Sequence, residues 1–136
     1  MQIRSRLTKA GMLGAAAAAA LAFSAAPASA APAVTASPST GLADGQAVTV
    51  TGTGYPAGTE IAVSQCRENT TCTDTLATAT VGADGSFTAR YTVKKAFTAT
   101  DWNTGSTVTV DCAVQQCRLV AYHEATGPVG TDISFG

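Results

Sequence analysis

Four cysteines (Cys66, Cys72, Cys112 and Cys117) and one histidine (His123) hold most of the reactive chemistry in this 136-residue sequence. Cysteines can oxidise in pairs or bind a soft metal. Here five and four residues separate the members of each close pair, whereas common zinc modules use gaps of two. Four cysteines allow three disulfide pairings. The short spacings favour the local ones, Cys66–Cys72 and Cys112–Cys117. Each closes a loop of roughly six residues, worth about 2–2.5 kcal/mol if the bridge acts on chain entropy. Bridges of that size shape loops more than they hold a fold. His123 has no nucleophile motif beside it, so neither a Ser-His-Asp nor a Cys-His site is supported. It is expected at the surface near a strand end. No acid or histidine spacing suggests a metal site, and no phosphate-binding glycine loop is present. Lys94-Lys95 reads as a solvated turn, and Asn69-Thr70-Thr71 is a glycosylation sequon by pattern alone. The expectation is a protein with no catalytic residues and no metal, hence not an enzyme.

The compartment decides whether the cysteines oxidise, and the N-terminus sets it. Arg4, Arg6 and Lys9 form a positive segment, Gly11 to Phe23 an apolar one, and Ala28-Ser29-Ala30 a small-x-small cleavage pattern. This is a secretory signal peptide over residues 1–30, cut between Ala30 and Ala31. The apolar run of 13 residues is too short to cross ~30 Å of hydrocarbon, so no membrane association is expected after cleavage. The remaining 106 residues, 31–136, make one domain with room for a single core. They keep five of the eight basic residues (Arg67, Arg90, Lys94, Lys95, Arg118) and all nine acids, a net charge of −4. An acidic surface does not draw nucleic acid. Disulfides are the default in the extracellular space.

The elements that position these residues are strands. Threonine abounds, while helix-forming Lys, Glu and Leu are scarce. Val48 and Val50 alternate with Thr49 and Thr51. Phe87, Ala89, Tyr91 and Val93 alternate with Ser86, Thr88, Arg90 and Thr92. Val108 and Val110 alternate with Thr107 and Thr109. One apolar and one polar face is the pattern of a half-buried antiparallel strand. Turn signals such as Asp44-Gly45, Asp84-Gly85 and Asn103-Thr104-Gly105 separate the runs. Strands are expected near 33–37, 46–52, 59–66, 76–81, 86–93, 106–112, 117–122 and 131–135, the first of them at a sheet edge. Val50, Phe87, Tyr91, Val110 and Phe135 are expected in the core. About seven short strands in 106 residues indicate an all-β, immunoglobulin-like antiparallel sandwich. The antibody variety, with a tryptophan between two bridged cysteines, does not fit, because Trp102 lies outside both local pairs.

A series of short motifs spans the mature chain: Ser37-Pro38-Ser39-Thr40-Gly41-Leu42-Ala43-Asp44-Gly45, Gln65-Cys66, Ala83-Asp84-Gly85-Ser86, Val93-Lys94-Lys95-Ala96-Phe97, Val110-Asp111-Cys112, Cys117 and Ile133-Ser134-Phe135. In this order and with these gaps the chain resembles the neocarzinostatin and macromomycin family of enediyne antibiotic apoproteins. The resemblance implies a seven-stranded sandwich with a small two-stranded arm, and a cleft between them that holds a labile apolar enediyne chromophore without a covalent bond. The ligand, not the protein, would act on DNA. Both disulfides would sit beside the cleft, one at its floor. Carried onto this sequence, the cleft falls at Gln65, Cys66, Cys72, Leu76, Trp102, Arg118 and Tyr122, with Trp102 as a wall and with Gln65, Tyr122 and Arg118 as polar contacts.

The sequence departs from the family in the lining. The Cys66–Cys72 loop is shorter and polar, Leu76 stands where a Phe is expected, and Thr100 replaces an aromatic. Arg118 and Tyr122 replace small or amide side chains. The function implied is a secreted, monomeric carrier and stabiliser of a small apolar aromatic antibiotic. The alternative is a secreted structural or interaction sandwich with no small ligand, which would show the cleft filled by side chains. A secreted hydrolase or hydrolase inhibitor is the third reading, without a catalytic grouping to support it.

Overall fold

The computed structural model describes residues 30–136. The signal peptide read over residues 1–30 therefore lies outside the described residues except for Ala30. Nine strands follow in chain order: β1 (Ala33–Ser37), β2 (Ala47–Thr53), β3 (Glu60–Glu68), β4 (Thr71–Thr80), β5 (Phe87–Thr92), β6 (Ala96–Asp101), β7 (Thr107–Asp111), β8 (Cys117–His123) and β9 (Gly127–Ile133). They form a three-stranded sheet, β1-β2-β5, and a six-stranded sheet, β7-β6-β4-β3-β8-β9. Every strand pairing is antiparallel. Seven strands make the immunoglobulin-like sandwich. The other two, β6 and β7, are the arm. They pair with each other from Ala96↔Asp111 to Thr100↔Thr107, and their only ladder pairs with the sandwich sheet are Thr71↔Asp101 and Cys72↔Thr100 on β4.

Alternation decides which side chains fill the space between the sheets. On β5, Phe87, Ala89 and Tyr91 turn inward while Thr88, Arg90 and Thr92 face solvent. On β2, Val48 and Val50 are fully buried, and Gly52 lies opposite Phe87. A side chain at Gly52 would occupy the space of the Phe87 ring, so the missing Cβ makes room for the largest residue of β5. Tyr55 closes this layer by an edge-to-face contact with Phe87, centroids 5.5 Å apart. The β4–β5 turn is held by Asp84, whose Oδ1 accepts both the amide (3.1 Å) and the hydroxyl (2.8 Å) of Ser86. These bonds hold the Asp84 carboxyl below the usual carboxylate range.

Several strand expectations need correction. The arm strand β6 falls between the expected strands. Phe97 is its only large apolar residue, too weak a pattern beside the polar run that follows. β4 begins at Thr71, not near 76, because its polar first half is held by Cys72 and by ladder bonds rather than by burial. β9 runs from Gly127 to Ile133 instead of 131–135; Pro128 is tolerated there because β9 is an edge strand. Phe135 is only partly buried, as it follows β9 and is held by an isolated bridge to Leu42. His123, expected at the surface, is buried. Its Nδ1 accepts the Ala125 amide (3.1 Å), so the neutral ring carries its proton on Nε2 and donates to Thr59 Oγ1 at 3.0 Å. The Thr59 hydroxyl in turn donates a hydrogen bond to the Pro56 carbonyl (2.7 Å). Every polar atom of the imidazole is spent on structure.

Candidate functional site

The outer face of the six-stranded sheet, turned away from the core, is built from the strand positions that alternate with the buried ones. On β3, Ile61 and Val63 point into the sandwich, leaving Ala62 and Ser64 outside. On β8, Leu119 and Ala121 point in, leaving Val120 and Tyr122 outside. Register sets these residues side by side. Ser64 lies between Leu76 of β4 and Val120 of β8, and Ala62 lies beside Tyr122. The result is a cleft of about 340 Å³ with Ala62, Ser64 and Val120 at its floor and Leu76, Trp102 and Tyr122 around it.

The rim is apolar and open to solvent. Leu76 is 55 %, Trp102 46 % and Tyr122 42 % exposed; Val114, in the Cys112–Cys117 loop, is the only other large apolar side chain so exposed among the described residues. Trp102 is placed by the β6–β7 turn. Asp101 ties that turn through its carboxylate to the Asn103 amide (2.8 Å) and through its carbonyl to the Gly105 amide (2.7 Å). Gly105, at φ +77°, completes it in a conformation that side chains disfavour. The Trp102 amide then donates to the Thr70 carbonyl at 2.8 Å, which joins the tip of the arm to the β3–β4 turn. Across the cleft the indole meets the Tyr122 ring edge to face.

Both disulfides are local: Cys66–Cys72 and Cys112–Cys117. The first packs with Val120 in a small buried cluster of its own, so it adjoins the cleft floor beside Val120. The polar turn it closes is internally paired. Arg67 bonds Glu68 at 3.0 Å, and Asn69 Oδ1 accepts from Arg118 Nη1 at 2.6 Å.

Of the residues expected at the cleft, the structure brings Leu76, Trp102 and Tyr122 together around it, with Cys66 and Cys72 adjoining through Val120. Arg118 sits at the Cys66 end of the sheet, opposite Cys66 in register. It bonds Asn69 and, at 3.2 Å, Asp132. Its guanidinium crosses Gly130, where any side chain would press against it. Gln65 is on the opposite face of β3, 1 % exposed, with its amide bonded to the Lys94 backbone. The floor residues Ala62, Ser64 and Val120 were not singled out from the sequence. The available signal was alternation: each is two positions from Cys66 or Tyr122 or from one another on its strand. Among the described residues no group of three or more His, Cys, Asp or Glu side chains could hold a metal ion, and no helix is long and apolar enough to cross a membrane.

The geometry can be set beside known proteins. The model of the neocarzinostatin family matches residues 34–135. The chain is 32 % identical over 143 residues to the antitumor antibiotic C-1027 apoprotein of Streptomyces globisporus, with all of both chains covered. It is 38 % identical over 99 residues to macromomycin of Streptomyces macromomyceticus, covering 62 % of each. Among solved structures, macromomycin superposes with a TM-score of 0.69 at 35 % identity, covering 78 % of this chain and all of the other. Apokedarcidin does so with a TM-score of 0.60 at 30 % identity, covering 79 % and all of the other. Proteins of this family are carrier apoproteins, not enzymes. The motif series, the sandwich with its arm and the family match over residues 34–135 agree: the chain belongs to the neocarzinostatin family.

Proposed function

We propose that the protein is a secreted, monomeric carrier that holds a small apolar aromatic molecule in the cleft between Leu76, Trp102 and Tyr122. The ligand class is an enediyne-type chromophore, and it is the carried molecule that acts on DNA. Cleavage between Ala30 and Ala31 releases the domain to the cell exterior. The observation behind this reading is the rim: three of the four large apolar side chains exposed among the described residues surround one concavity. A protein that left such side chains in water without a use would give up burial worth about 25 cal/mol per Å², and clustered exposure of this kind marks binding surfaces. The cleft volume of about 340 Å³ lies in the usual range for small-molecule sites. Flat rings suit a flat ligand, since offset or edge-to-face contacts add about 0.5–1.5 kcal/mol beyond buried area. The acidic mature chain gives DNA no electrostatic reason to bind the protein itself.

The test is a titration of Trp102 fluorescence with a naphthoate ester and an anthraquinone, repeated by calorimetry. Saturable binding, weakened in Trp102→Ala, is the expected result. Absence of binding by the parent at millimolar probe would sink the carrier reading and favour a secreted interaction domain. The mass of whatever co-purifies from the native culture identifies the ligand.

A further inference from the structure

We infer that Gln65 is a positioning residue for the cleft, acting from the opposite face of the sheet by fixing the root of the β6–β7 arm. Its role in ligand affinity rests on the carrier reading; its role in placing Trp102 rests on geometry alone.

Besides the apolar packing of Ala99 and Val110 in the core, the arm is hydrogen-bonded to the sandwich at two places. At its tip, the Trp102 amide and two ladder pairs meet the β3–β4 turn. At its root, the strand entering the arm and the strand leaving it converge on one side chain. Gln65 Nε2 donates to the Lys94 carbonyl at 2.7 Å, and Gln65 Oε1 accepts the Lys94 amide at 2.9 Å. The carboxamide thus pairs with a backbone peptide as a neighbouring strand would. Nε2 also reaches Cys112 Sγ at 3.4 Å, and the Cys112 amide donates to the Lys95 carbonyl at 2.8 Å. Both feet of the arm are therefore registered to β3 through Gln65. Between root and tip, β4 and β6 are not paired, and an opening of about 310 Å³ separates them, lined by Gln65, Thr73, Thr75, Tyr91, Lys94 and Phe97 among others. With no ladder along that stretch, root and tip together fix the lie of the arm, and a change of angle at the root strains the tip contacts that place Trp102 relative to Tyr122.

A buried amide is costly unless fully bonded. An apolar residue would suit a core position better if packing were all that was required. Gln65 instead supplies one donor and one acceptor at peptide spacing, a pairing that no aliphatic side chain can make. It also stands next in sequence to Cys66, so one dipeptide fixes the arm root on one face and the cleft floor on the other.

The experiment compares the parent, Gln65→Leu and Val50→Ala. Val50→Ala is a core truncation in β2, away from the arm, and controls for lost stability alone. Well below each melting temperature, acrylamide quenching of Trp102 in the ligand-free protein reports its placement, and titration with a naphthoate ester reports affinity. Gln65→Leu is expected to change the quenching and to weaken the probe by about tenfold, as a shifted binding wall does; Val50→Ala is expected to change neither. Should Gln65→Leu not fold, Gln65→Glu decides. Ionised, its carboxylate faces the Lys94 carbonyl without a proton to donate, and Trp102 quenching departs from the parent. Protonated in acid, it regains the donor and the parental quenching returns. Parental quenching in Gln65→Leu, or in Gln65→Glu under both conditions, overturns the proposal. A parent that binds no probe while the quenching shifts as expected overturns the carrier reading and leaves the positioning role standing.

Discussion

The indole of Trp102 and the phenol ring of Tyr122 meet edge to face across the cleft, centroids 6.3 Å apart and planes 82° to each other. One ring comes from the arm and the other from β8, so the contact is the only aromatic pair that joins the arm to the sandwich among the described residues. Each ring presents a further face to solvent. Trp102→Ala is expected to weaken a flat aromatic probe by about tenfold or more, since an aromatic contact contributes roughly 0.5–1.5 kcal/mol in addition to the area it covers. Calorimetry on the variant checks this; equal affinity would remove Trp102 from the site.

Phe87 and Gly52 are two halves of one packing solution. Phe87→Ala is expected to cost about 3–5 kcal/mol, as for other large core deletions. Gly52→Ala is expected to be destabilising too, because its methyl group would run into the Phe87 ring. Combining the two should cost less than their sum, since the smaller side chain at 87 makes room for the methyl. Urea denaturation of the four proteins measures the cycle, and strict additivity would refute the pairing.

How much of this was legible before any coordinates depended on periodicity. The sandwich strands around Val48–Val50 and Phe87–Val93 announce themselves by alternation, and the disulfides by spacing. The arm strand β6 does not, because Phe97 is its only large apolar residue and pairing with β7 does much to hold it. Trp102 was placed at the cleft from resemblance, and the structure sets it on the turn that ends β6. Gln65 shows the opposite case: its residue type suggests a ligand contact, yet its strand parity, shared with Ile61 and Val63, turns it inward. Parity was available in the sequence, but the β3 register shifts between Ser64, Cys66 and Glu68 blur it at that point.

Two buried tyrosines should respond oppositely to loss of the hydroxyl. The Tyr91 hydroxyl donates to the Thr75 carbonyl at 2.8 Å. The Tyr55 hydroxyl is buried without a partner among the described residues. Tyr91→Phe is expected to cost about 0.5–1.5 kcal/mol, the usual value of such a bond. Tyr55→Phe is expected to be neutral or stabilising, since it removes an unpaired polar atom. Burial pushes both phenols above their ordinary value of 10.0. The folded form therefore disfavours ionisation: its stability is complete below pH 10 and falls as pH rises beyond the unfolded value of about 10. Thermal melts of Tyr55→Phe should lose less stability in strong alkali than the parent. A steeper alkaline loss in the variant would contradict the argument.

Removing the Cys66–Cys72 bridge should separate fold from cleft. The double change to alanine is expected to cost about 2 kcal/mol through the small loop it closes, leaving the sandwich folded. Because the bridge packs against Val120 and its turn accepts the Trp102 amide at Thr70, the same variant should also bind aromatic probes more weakly. Val50→Ala, a core truncation away from the cleft and the arm, offers the comparison for lost stability alone. A fall in stability with undiminished probe binding would place the first bridge outside the cleft architecture.

The cleft floor, with Leu76 and Tyr122 of the rim, stands on strand positions that face away from the core, interleaved with residues that face into it. A substitution at Ala62, Ser64, Leu76, Val120 or Tyr122 therefore alters what the protein can hold without reaching Ile61, Val63, Leu119 or Ala121 on the other side of the same strands. Ligand preference and folding stability are written on alternate residues of the same sentence. On the carrier reading, the exposed Leu76 and Tyr122 can change with the cargo at little cost to the fold, whereas the buried Ser64 and Val120 confine change as core residues do. On that reading, a change of lining is the expected product of selection by cargo, and the backbone that carries it can stay the same.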